Sequence, residues 1–210
     1  MPKRSAPQLT SRKQPRQARA NDLIATVLEA AVQVLRVEGA ARFTTARVAE
    51  RAGVSVGSLY QYFPNKASIL FNLQSEEWRR TSDLLAAILE DQSQPPTERL
   101  RRLVYAFLQS ECEEAEIRTA LGDAAPLYRD APEAEAARAS GSLIVLAFLR
   151  EALPGVSEPV VALAAELIEA TLTSVGSTFS DTGRTEAEIA AYAGAMADMF
   201  CAYLMRLAQS

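Results

Sequence analysis

The chain has 210 residues, of which 49% are apolar and 23% are charged, and it contains no histidine. This composition is typical of a soluble protein with one or two domains and a sizeable core. The lack of histidine excludes histidine-based acid–base catalysis and argues against a conventional zinc site. We therefore predict that the protein is not an enzyme and has no catalytic residue, metal site or cofactor.

Residues 1–20 are predicted to be a flexible basic arm. They contain six Lys and Arg and no Asp or Glu: Lys3, Arg4, Arg12, Lys13, Arg16 and Arg19. No apolar run follows this positive start, so a secretory signal peptide is not predicted and the expected location is cytoplasmic. Two interpretations are compatible with each other. The segment is a disordered tail, or it is an arm that contacts phosphates or the minor groove of DNA.

The charge of the chain is unevenly distributed. Through Lys66 there are 11 Lys and Arg against 4 Asp and Glu, and the remainder has 11 against 22. This division predicts a small basic module that faces phosphates and an acidic body that faces away from them.

A first helix is predicted over residues 22–38. Asp22 can cap its start, Gly39 can end it, and the apolar residues between them follow one face. We expect this helix to support the segment that follows it.

A helix-turn-helix is predicted over residues 43–66. Thr44 or Thr45 can cap the first helix, and Gly53 supplies a left-handed residue that ends it. Ser55 can cap a second helix that runs to about residue 62. Pro64 stops that helix, and Asn65 can cap a third one. Two short helices joined by a tight turn with glycine are the pattern of a DNA-binding helix-turn-helix.

The second helix of this motif has the side chains of a DNA-contacting helix. It is small at its start, which permits close approach to a groove, and Gln61 can make paired hydrogen bonds to adenine. Hydroxyl groups and Lys66 are typical phosphate contacts. The predicted DNA-binding residues are Thr44, Thr45, Ser55, Val56, Gly57, Ser58, Tyr60, Gln61, Tyr62 and Lys66.

The segment Thr45–Lys66 resembles the tetracycline-repressor (TetR) family of transcriptional regulators. The resemblance is carried by Val48-Ala49, Gly53-Val54-Ser55 and Leu59-Tyr60-x-Tyr62-Phe63-x-Asn65-Lys66, and it covers roughly the first third of the chain. It implies a homodimeric, cytoplasmic repressor that binds a palindromic operator in double-stranded DNA and is released by a small effector.

The rest of the chain is predicted to be helical. Apolar stripes bounded by Pro, Gly and Ser predict helices over about 66–91, 97–115, 132–153, 159–179 and 185–208, with a shorter helix and turn near Gly122 and Pro126. The fold class is therefore all-α with about nine helices. The predicted domains are the arm (1–20), a three-helix DNA-binding module (21–66) and a helical effector-binding and dimerisation body (67–210).

Two other features suggest chemistry that the sequence does not support. Gly53-Val54-Ser55-Val56-Gly57 matches the nucleophile elbow of hydrolases, but that motif requires a preceding strand and a histidine partner. Cys112 and Cys201 lack metal-binding spacing and are expected to be reduced and partly buried. A thiol redox sensor remains an open alternative for them.

The last two helices are predicted to form a dimer interface. Each is apolar on more than one face, and such helices are buried on more than one face. The alternative is that both faces are buried within one subunit. The residues predicted at the interface are Ala165, Ile168, Met196, Phe200 and Tyr203.

Glu111 is the observation behind the predicted effector pocket. It falls on the apolar stripe of its helix, where an ionised carboxylate is costly unless it is paired. Glu111 either lies near a frayed helix end or pairs with an arginine such as Arg118, or it faces an effector cavity. In the last case, the pocket is predicted to contain Tyr105, Phe107, Glu111, Cys112 and Phe148, and the effector to be small and apolar or aromatic.

Two hypotheses for function follow. The first is a sequence-specific transcriptional repressor that a small molecule releases from its operator. The second is a helix-turn-helix dimer whose body binds a protein partner instead of a small ligand. Neither hypothesis places the protein in a membrane.

Overall fold

A computed structural model describes residues 18–209. Over this range it contains no strand, nine α-helices and one 3₁₀ turn, which confirms the all-α fold class. The helices are α1 (Ala18–Arg42), α2 (Thr45–Ala52), α3 (Val56–Tyr60), α4 (Lys66–Leu89), α5 (Pro96–Glu113), α6 (Ala115–Ala124), α7 (Pro132–Ala152), α8 (Glu158–Ser180) and α9 (Glu186–Leu207), with the 3₁₀ turn at Ala125–Leu127. Most of the predicted basic arm, residues 1–17, lies outside the described residues.

The predicted caps account for most helix ends. Gly39 has φ 72° and interrupts α1, so the regular helix ends at Glu38 as predicted, and a short turn completes it to Arg42. Gly53 has φ 67° and ends α2 in the left-handed region. Asn65 Oδ1 accepts a hydrogen bond of 2.9 Å from the Ser68 amide and so caps α4.

Two predicted boundaries were wrong. The first helix begins at Ala18, four residues before Asp22, and the Asp22 carbonyl accepts a hydrogen bond from the Thr26 hydroxyl inside the helix. The helix of the motif ends at Tyr60 and not at residue 62, because the amides of Tyr62 and Phe63 both bond the Leu59 carbonyl at 3.0 Å. This tight turn leads into Pro64.

The chain divides into two compact units. Unit 1 comprises the chain up to Glu77 together with Glu116–Ala137, and unit 2 comprises Trp78–Ala115 together with the chain from Arg138 onward. The predicted domain division after residue 66 falls at the start of α4, whereas unit 1 retains the first half of that helix.

Unit 2 is built around α5, which packs against both α8 and α9. Its core is aliphatic and aromatic and includes Leu103, Leu108, Phe148, Ile168 and Phe200. Because α8 and α9 lie on one central helix, each of them has one buried face and one exposed face.

Gly176 on α8 packs tightly against two side chains of α5. A Cβ atom at this position would lie 2.8 Å from Cε1 of Phe107 and 3.0 Å from Cγ of Glu111. Real Cβ atoms hardly ever have contacts this short, so glycine is required for α5 and α8 to pack at this distance.

Arg99 is a buried cation in unit 2, although its partner is half exposed. Its Nη1 donates to the Leu89 carbonyl at 2.5 Å and to Glu151 Oε2 at 3.2 Å, and its Nη2 donates to Glu151 Oε1. The guanidinium carbon lies 5.2 Å from the centroid of the Phe148 ring. Glu151 raises the pKa of Arg99 through these hydrogen bonds, and Arg99 in turn lowers the pKa of Glu151.

Helix α8 is long and apolar enough to cross a membrane, judged by length and composition alone. It is the one such helix among the described residues. Core helices of soluble proteins pass the same test. One face of α8 lies in the core of unit 2 through Val161, Ala164, Ile168 and Leu172. The apolar character of α8 is therefore partly explained by packing within the subunit.

Candidate DNA-binding site and helical body

The helix-turn-helix is anchored by three apolar side chains that are almost completely buried. Phe43 and Leu59 have no exposed surface, and Phe63 is 1% exposed. They precede α2, lie within α3 and follow α3, respectively. Burial of one such side chain stabilises by about 1.5–3 kcal/mol, so these three residues fix the position of α3.

Two hydroxyl groups cap the helices of the motif. The side chain of Thr44 accepts a hydrogen bond of 3.3 Å from the Arg47 amide at the start of α2. The side chain of Ser55 accepts one of 3.0 Å from the Ser58 amide and lies 2.8 Å from the Ser58 hydroxyl. Both residues were predicted as caps and as DNA contacts, and the structure places each of them at a cap.

A hydrogen bond joins the start of α2 to the end of α3. The hydroxyl groups of Thr45 and Tyr60 are 3.1 Å apart, and either can be the donor. The structure thus brings together two residues that were predicted separately as phosphate contacts. A hydroxyl pair of this kind can donate to a phosphate oxygen while the second hydroxyl fixes its direction.

None of the ten predicted DNA-binding residues is buried. Thr44, Ser55, Val56, Gly57, Tyr60 and Gln61 are exposed, and Thr45, Ser58, Tyr62 and Lys66 are half-buried. Val56 and Tyr60, one helical turn apart on α3, are each 40% exposed. The helix therefore buries Leu59 and presents a face with hydroxyl, amide and small apolar groups.

Gly57 has no structural reason to be glycine. A Cβ atom there would meet only the Ser55 hydroxyl, at 3.8 Å, and glycine inside a helix costs about 1 kcal/mol relative to alanine. Packing within the chain therefore does not explain glycine at this position.

The arginines of α2 are tied to α1. The Arg47 guanidinium pairs with Glu38 and also donates to the Arg42 carbonyl at 3.3 Å, and Arg51 Nε donates to Gln33 Oε1 at 2.6 Å. These contacts fix α2 against α1, which the sequence analysis did not anticipate. The sequence signal for these contacts was the spacing of Arg47 and Arg51, which are four residues apart and so lie on one face of α2.

Unit 1 also contains a buried polar network that the sequence did not predict. Arg118 Nη2 lies 2.8 Å from Glu77 Oε1, Gln74 Nε2 donates to Glu77 Oε2 at 2.9 Å, and the Tyr128 hydroxyl donates to Gln74 Oε1 and to the Leu121 carbonyl at 3.2 Å. Burial raises the pKa of Tyr128, so this hydroxyl stays protonated. The network ties α4 to α6 and the turn after it.

The five predicted effector residues are divided between two environments. Phe107, Glu111 and Phe148 are buried in unit 2, and the first two pack against Gly176. Tyr105 and Cys112 are half-buried and line an open groove of about 240 Å³ together with Gln109, Glu113, Arg184, Glu186 and Ile189. Tyr105 also lines a second open groove, of about 490 Å³, with Leu84, Ile88, Glu98, Arg101, Arg102 and Ala106.

Both cysteines are free thiols, Cys112 half-buried and Cys201 buried. Burial is the main cause that raises the pKa of each thiol. A raised pKa reduces the thiolate fraction that reacts with oxidants, which favours the structural interpretation of these residues over a redox sensor.

Four of the five predicted interface residues lie in the core of the subunit. Ala165, Ile168, Met196 and Phe200 are buried against α5 or its neighbours, and Tyr203 is half-buried. The sequence showed two apolar faces on each helix but not which of them faces inward. The outward faces are formed by other residues, including Leu163, Leu167, Tyr192, Met199 and Met205.

A capped helix-turn-helix with buried anchors, followed by a larger set of helices, is the architecture of helix-turn-helix DNA-binding regulators. Two family models match the chain in agreement with this class. "Bacterial regulatory proteins, tetR family" matches residues 27–73, and "Tetracyclin repressor-like, C-terminal domain" matches residues 95–207. The second match alone covers more than half of the chain. The protein therefore belongs to the TetR family of DNA-binding transcriptional regulators, which are not enzymes.

Individual proteins are similar to this chain in sequence or in fold. The nucleoid occlusion factor SlmA of Vibrio campbellii is 35% identical over 83 residues, which are 39% of this chain and 42% of that protein. The fatty acid degradation regulator FadR from Bacillus halodurans has a TM-score of 0.62 at 21% identity, covering 90% of this chain and 96% of that one. FadR from Bacillus subtilis, solved with stearoyl-CoA, has a TM-score of 0.65 at 18% identity, covering 84% and 96%.

Proposed function

We propose that the protein is a homodimeric repressor that binds a palindromic operator and is released from it by a small apolar molecule. The observation that carries the proposal is the exposed face of α3 on a buried, capped scaffold. A symmetric dimer would place two such helices in successive major grooves, about 34–36 Å apart or a multiple of that distance.

The residues on this face divide into two roles. Gln61 is exposed at the end of α3, and its amide can make paired hydrogen bonds to adenine. Ser55, Val56, Gly57 and Ser58 form the edge that enters the groove. Thr44, Thr45, Tyr60, Tyr62 and Lys66 surround it and would bind phosphate oxygens, which fix register but carry no sequence information.

Two single variants test this division on the operator that the purified protein selects from random duplexes. Lys66→Ala should weaken all sequences about equally and lower the salt slope of binding by roughly one. Gln61→Ala should relax preference at one base position in each half-site. The division fails if Lys66→Ala changes base preference or if Gln61→Ala leaves it intact. Absence of salt-dependent binding to any duplex would refute operator binding.

Dimerisation is proposed through the outward faces of α8 and α9. Leu163 and Leu167 on α8 are 58% and 49% exposed, and Met199 on α9 is 53% exposed. Their neighbours on the same faces are mostly Ala, Ser and Thr, so two copies of the surface can approach closely. Exposed apolar area of this kind on adjacent helices is typical of an interaction surface.

Light scattering of Leu167→Glu and Met199→Glu tests the interface, and each is expected to shift the protein toward the monomer. The matched control is Val37→Glu on α1, which adds the same charge at a position that is 82% exposed. If both outward-face variants remain as dimeric as the control at low micromolar concentration, the interface lies elsewhere.

The effector is proposed to bind unit 2 along α5, near Tyr105, Phe107, Glu111, Cys112 and Phe148. The open groove at Tyr105 and Cys112 supports this location. Bacillus subtilis FadR, which has a similar fold, was solved in complex with stearoyl-CoA, and this supports an apolar effector. Phe107 and Glu111 pack on α8 in the described conformation. An effector inserted there would shift α5 from α8 and favour a state with lower affinity for DNA.

Thermal shift against fatty acids, acyl-CoA esters and aromatic compounds tests for a ligand, and loss of operator binding tests for its effect. Glu111→Gln should change the effector concentration required for release, whereas Glu90→Gln, at an exposed position just after α4, should not. An altered melting temperature with an unchanged effector response would make Glu111 a structural residue only.

The second candidate function is a DNA-bound dimer that recruits a protein partner. The similarity to SlmA favours it, although that similarity covers less than half of either chain. This candidate is favoured over the repressor if no compound in the panel raises the melting temperature and no compound releases the protein from its operator.

A further inference from the structure

Two residues at the start of α3 are poor choices for a helix, and neither is used for packing. Val56 and Gly57 are the first two residues of this five-residue helix, and both are exposed. Valine and glycine have lower helix propensity than alanine. A Cβ atom at Gly57 would meet only the Ser55 hydroxyl, at 3.8 Å. Residues that disfavour the local structure without a packing gain are expected at functional sites.

The hydroxyl groups near Val56 are held by bonds within the motif. Ser55 Oγ accepts a hydrogen bond from the Ser58 amide and lies 2.8 Å from the Ser58 hydroxyl. The Tyr60 hydroxyl, one helical turn from Val56, lies 3.1 Å from the Thr45 hydroxyl of α2. These bonds fix the polar groups around the helix start, and the Val56 side chain stays 40% exposed beside them.

Val56 is the one exposed aliphatic side chain of α3, because Leu59 is completely buried. An aliphatic group neither donates nor accepts a hydrogen bond, so it cannot recognise the donors and acceptors of a base edge. In the major groove, the apolar group that a standard base presents is the C5-methyl group of thymine. Valine is also stiff at χ1, so its two methyl groups have defined directions. Among the four bases, the chemistry of Val56 therefore fits thymine.

We infer that Val56 contacts the C5-methyl group of a thymine and that each operator half-site contains a thymine recognised in this way. The inference rests on the proposed operator binding and adds a second base to it. Gln61 selects adenine through its amide, and Val56 selects thymine through its apolar surface. Loss of the methyl group should weaken binding about fourfold per half-site, which corresponds to about 0.8 kcal/mol for one buried carbon group.

The test combines a change in the DNA with a change in the full-length protein. Deoxyuridine differs from thymidine only in lacking the C5-methyl group. It replaces each thymine of the selected operator in turn, symmetrically in both half-sites. Replacement at the recognised position should weaken binding of a dimer about 16-fold, which is about fourfold for each half-site. Val56→Ala should bind the thymine operator more weakly, and replacement at that position should no longer change its affinity.

The matched control is Val37→Ala, because Val37 is 82% exposed on α1, outside the motif. It should bind the operator as tightly as the unmodified protein and keep the sensitivity to deoxyuridine. The melting temperature of Val56→Ala should not fall, since Val56 is exposed and alanine has the higher helix propensity. Weaker binding by Val56→Ala then reports a lost contact with DNA and not a loss of folded protein.

Two results would overturn the inference while leaving operator binding intact. In the first, no deoxyuridine replacement weakens binding of the unmodified protein. In the second, Val56→Ala is as sensitive to the replacement as the unmodified protein, so that another residue reads the methyl group. If the purified protein selects no duplex at all, the proposed function fails together with the inference.

Discussion

The helix-turn-helix and the helical body are held together by interactions of different range along the chain. Thr44 bonds the third residue after it, Ser55 the third after it, and Asn65 the third after it. In unit 2, Arg99 bonds a residue 52 positions away, and Arg101 bonds Asp198 across 97 positions. The DNA-contacting part is specified locally, and the body is specified by contacts that only the complete fold creates.

This difference explains why a short motif carries the TetR resemblance only in the first part of the chain, although a family model also matches residues 95–207. A motif with local caps and turns must repeat the same residue types at the same spacing wherever it occurs. Long-range contacts can be exchanged for others with the same geometric result. The body can therefore keep its fold at 18–21% identity to known structures, as the FadR comparisons show.

The largest expected effect comes from breaking the long-range contact of Arg99. Arg99→Met keeps most of the side-chain length but removes the hydrogen bonds to the Leu89 carbonyl and to Glu151. The free energy of unfolding should fall by about 3 kcal/mol, because a buried carbonyl loses its partner and a buried charge network is removed. Chemical denaturation measures this change.

Glu151→Gln is the matched control for Arg99→Met. The Glu151 side chain is 44% exposed, against 2% for Arg99, and glutamine keeps one acceptor. The control should cost much less than Arg99→Met. If the two variants are equally destabilising, the Leu89 contact contributes nothing and the stabilisation lies in the ion pair alone.

The sequence predicted the fold and the motif well, and it predicted the body contacts poorly. Gly39, Gly53 and Asn65 act at helix ends because φ angles and cap hydrogen bonds depend on neighbouring residues. Arg99 and Gly176 gave no usable signal, since their roles depend on which residues lie opposite them. For the same reason, the buried faces of α8 and α9 could not be told from the outward ones.

The second effect tests the contact of α5 with α8. Gly176→Ala should lower the free energy of unfolding by about 1–3 kcal/mol, since the added methyl group overlaps Phe107 and Glu111. Gly122→Ala in α6 is the control, because no atom lies within 4 Å of the added carbon. Higher helix propensity should stabilise this control by up to about 1 kcal/mol. An equal response of both variants would mean that α5 and α8 can separate at little cost.

A third, smaller effect tests the local interactions of the motif. Ser55→Ala removes the cap of α3 and should lower the free energy of unfolding by about 1 kcal/mol. It should also weaken operator binding, because Ser55 lies on the face of α3 that is proposed to contact DNA. Thr185→Ala removes the cap of α9, where Thr185 and Glu188 form a capping box, at a similar cost in stability and without loss of DNA binding. Hydrogen exchange of the α3 amides measures the local change directly. If Ser55→Ala speeds amide exchange equally in both units, the cap does not act on α3 locally.

The smallest expected effect is on the pH dependence of stability. It compares a carboxylate with a distant partner in the chain, Glu151, and one with a nearby partner, Glu188. Arg99 lowers the pKa of Glu151, and the Thr185 amide lowers the pKa of Glu188, both from about 4.5. A lowered pKa in the folded state gives stability above pH 4.5 that is lost as the pH falls through the folded value. The difference in stability between the wild type and Glu151→Gln or Glu188→Gln should therefore shrink as the pH falls below 4.5. A difference that persists at acid pH would exclude ionisation as its source.

The brevity of α3 has a consequence for how such a regulator acquires new targets. In a helix of five residues, the fold depends on its cap, Ser55, and on one buried side chain, Leu59. Val56, Gly57 and Gln61 are exposed and are among the positions proposed to face the bases. Mutations at these positions can change operator preference with little loss of stability. A duplicated gene could thus drift toward a new DNA sequence through folded intermediates, while the core of unit 2 stays unchanged.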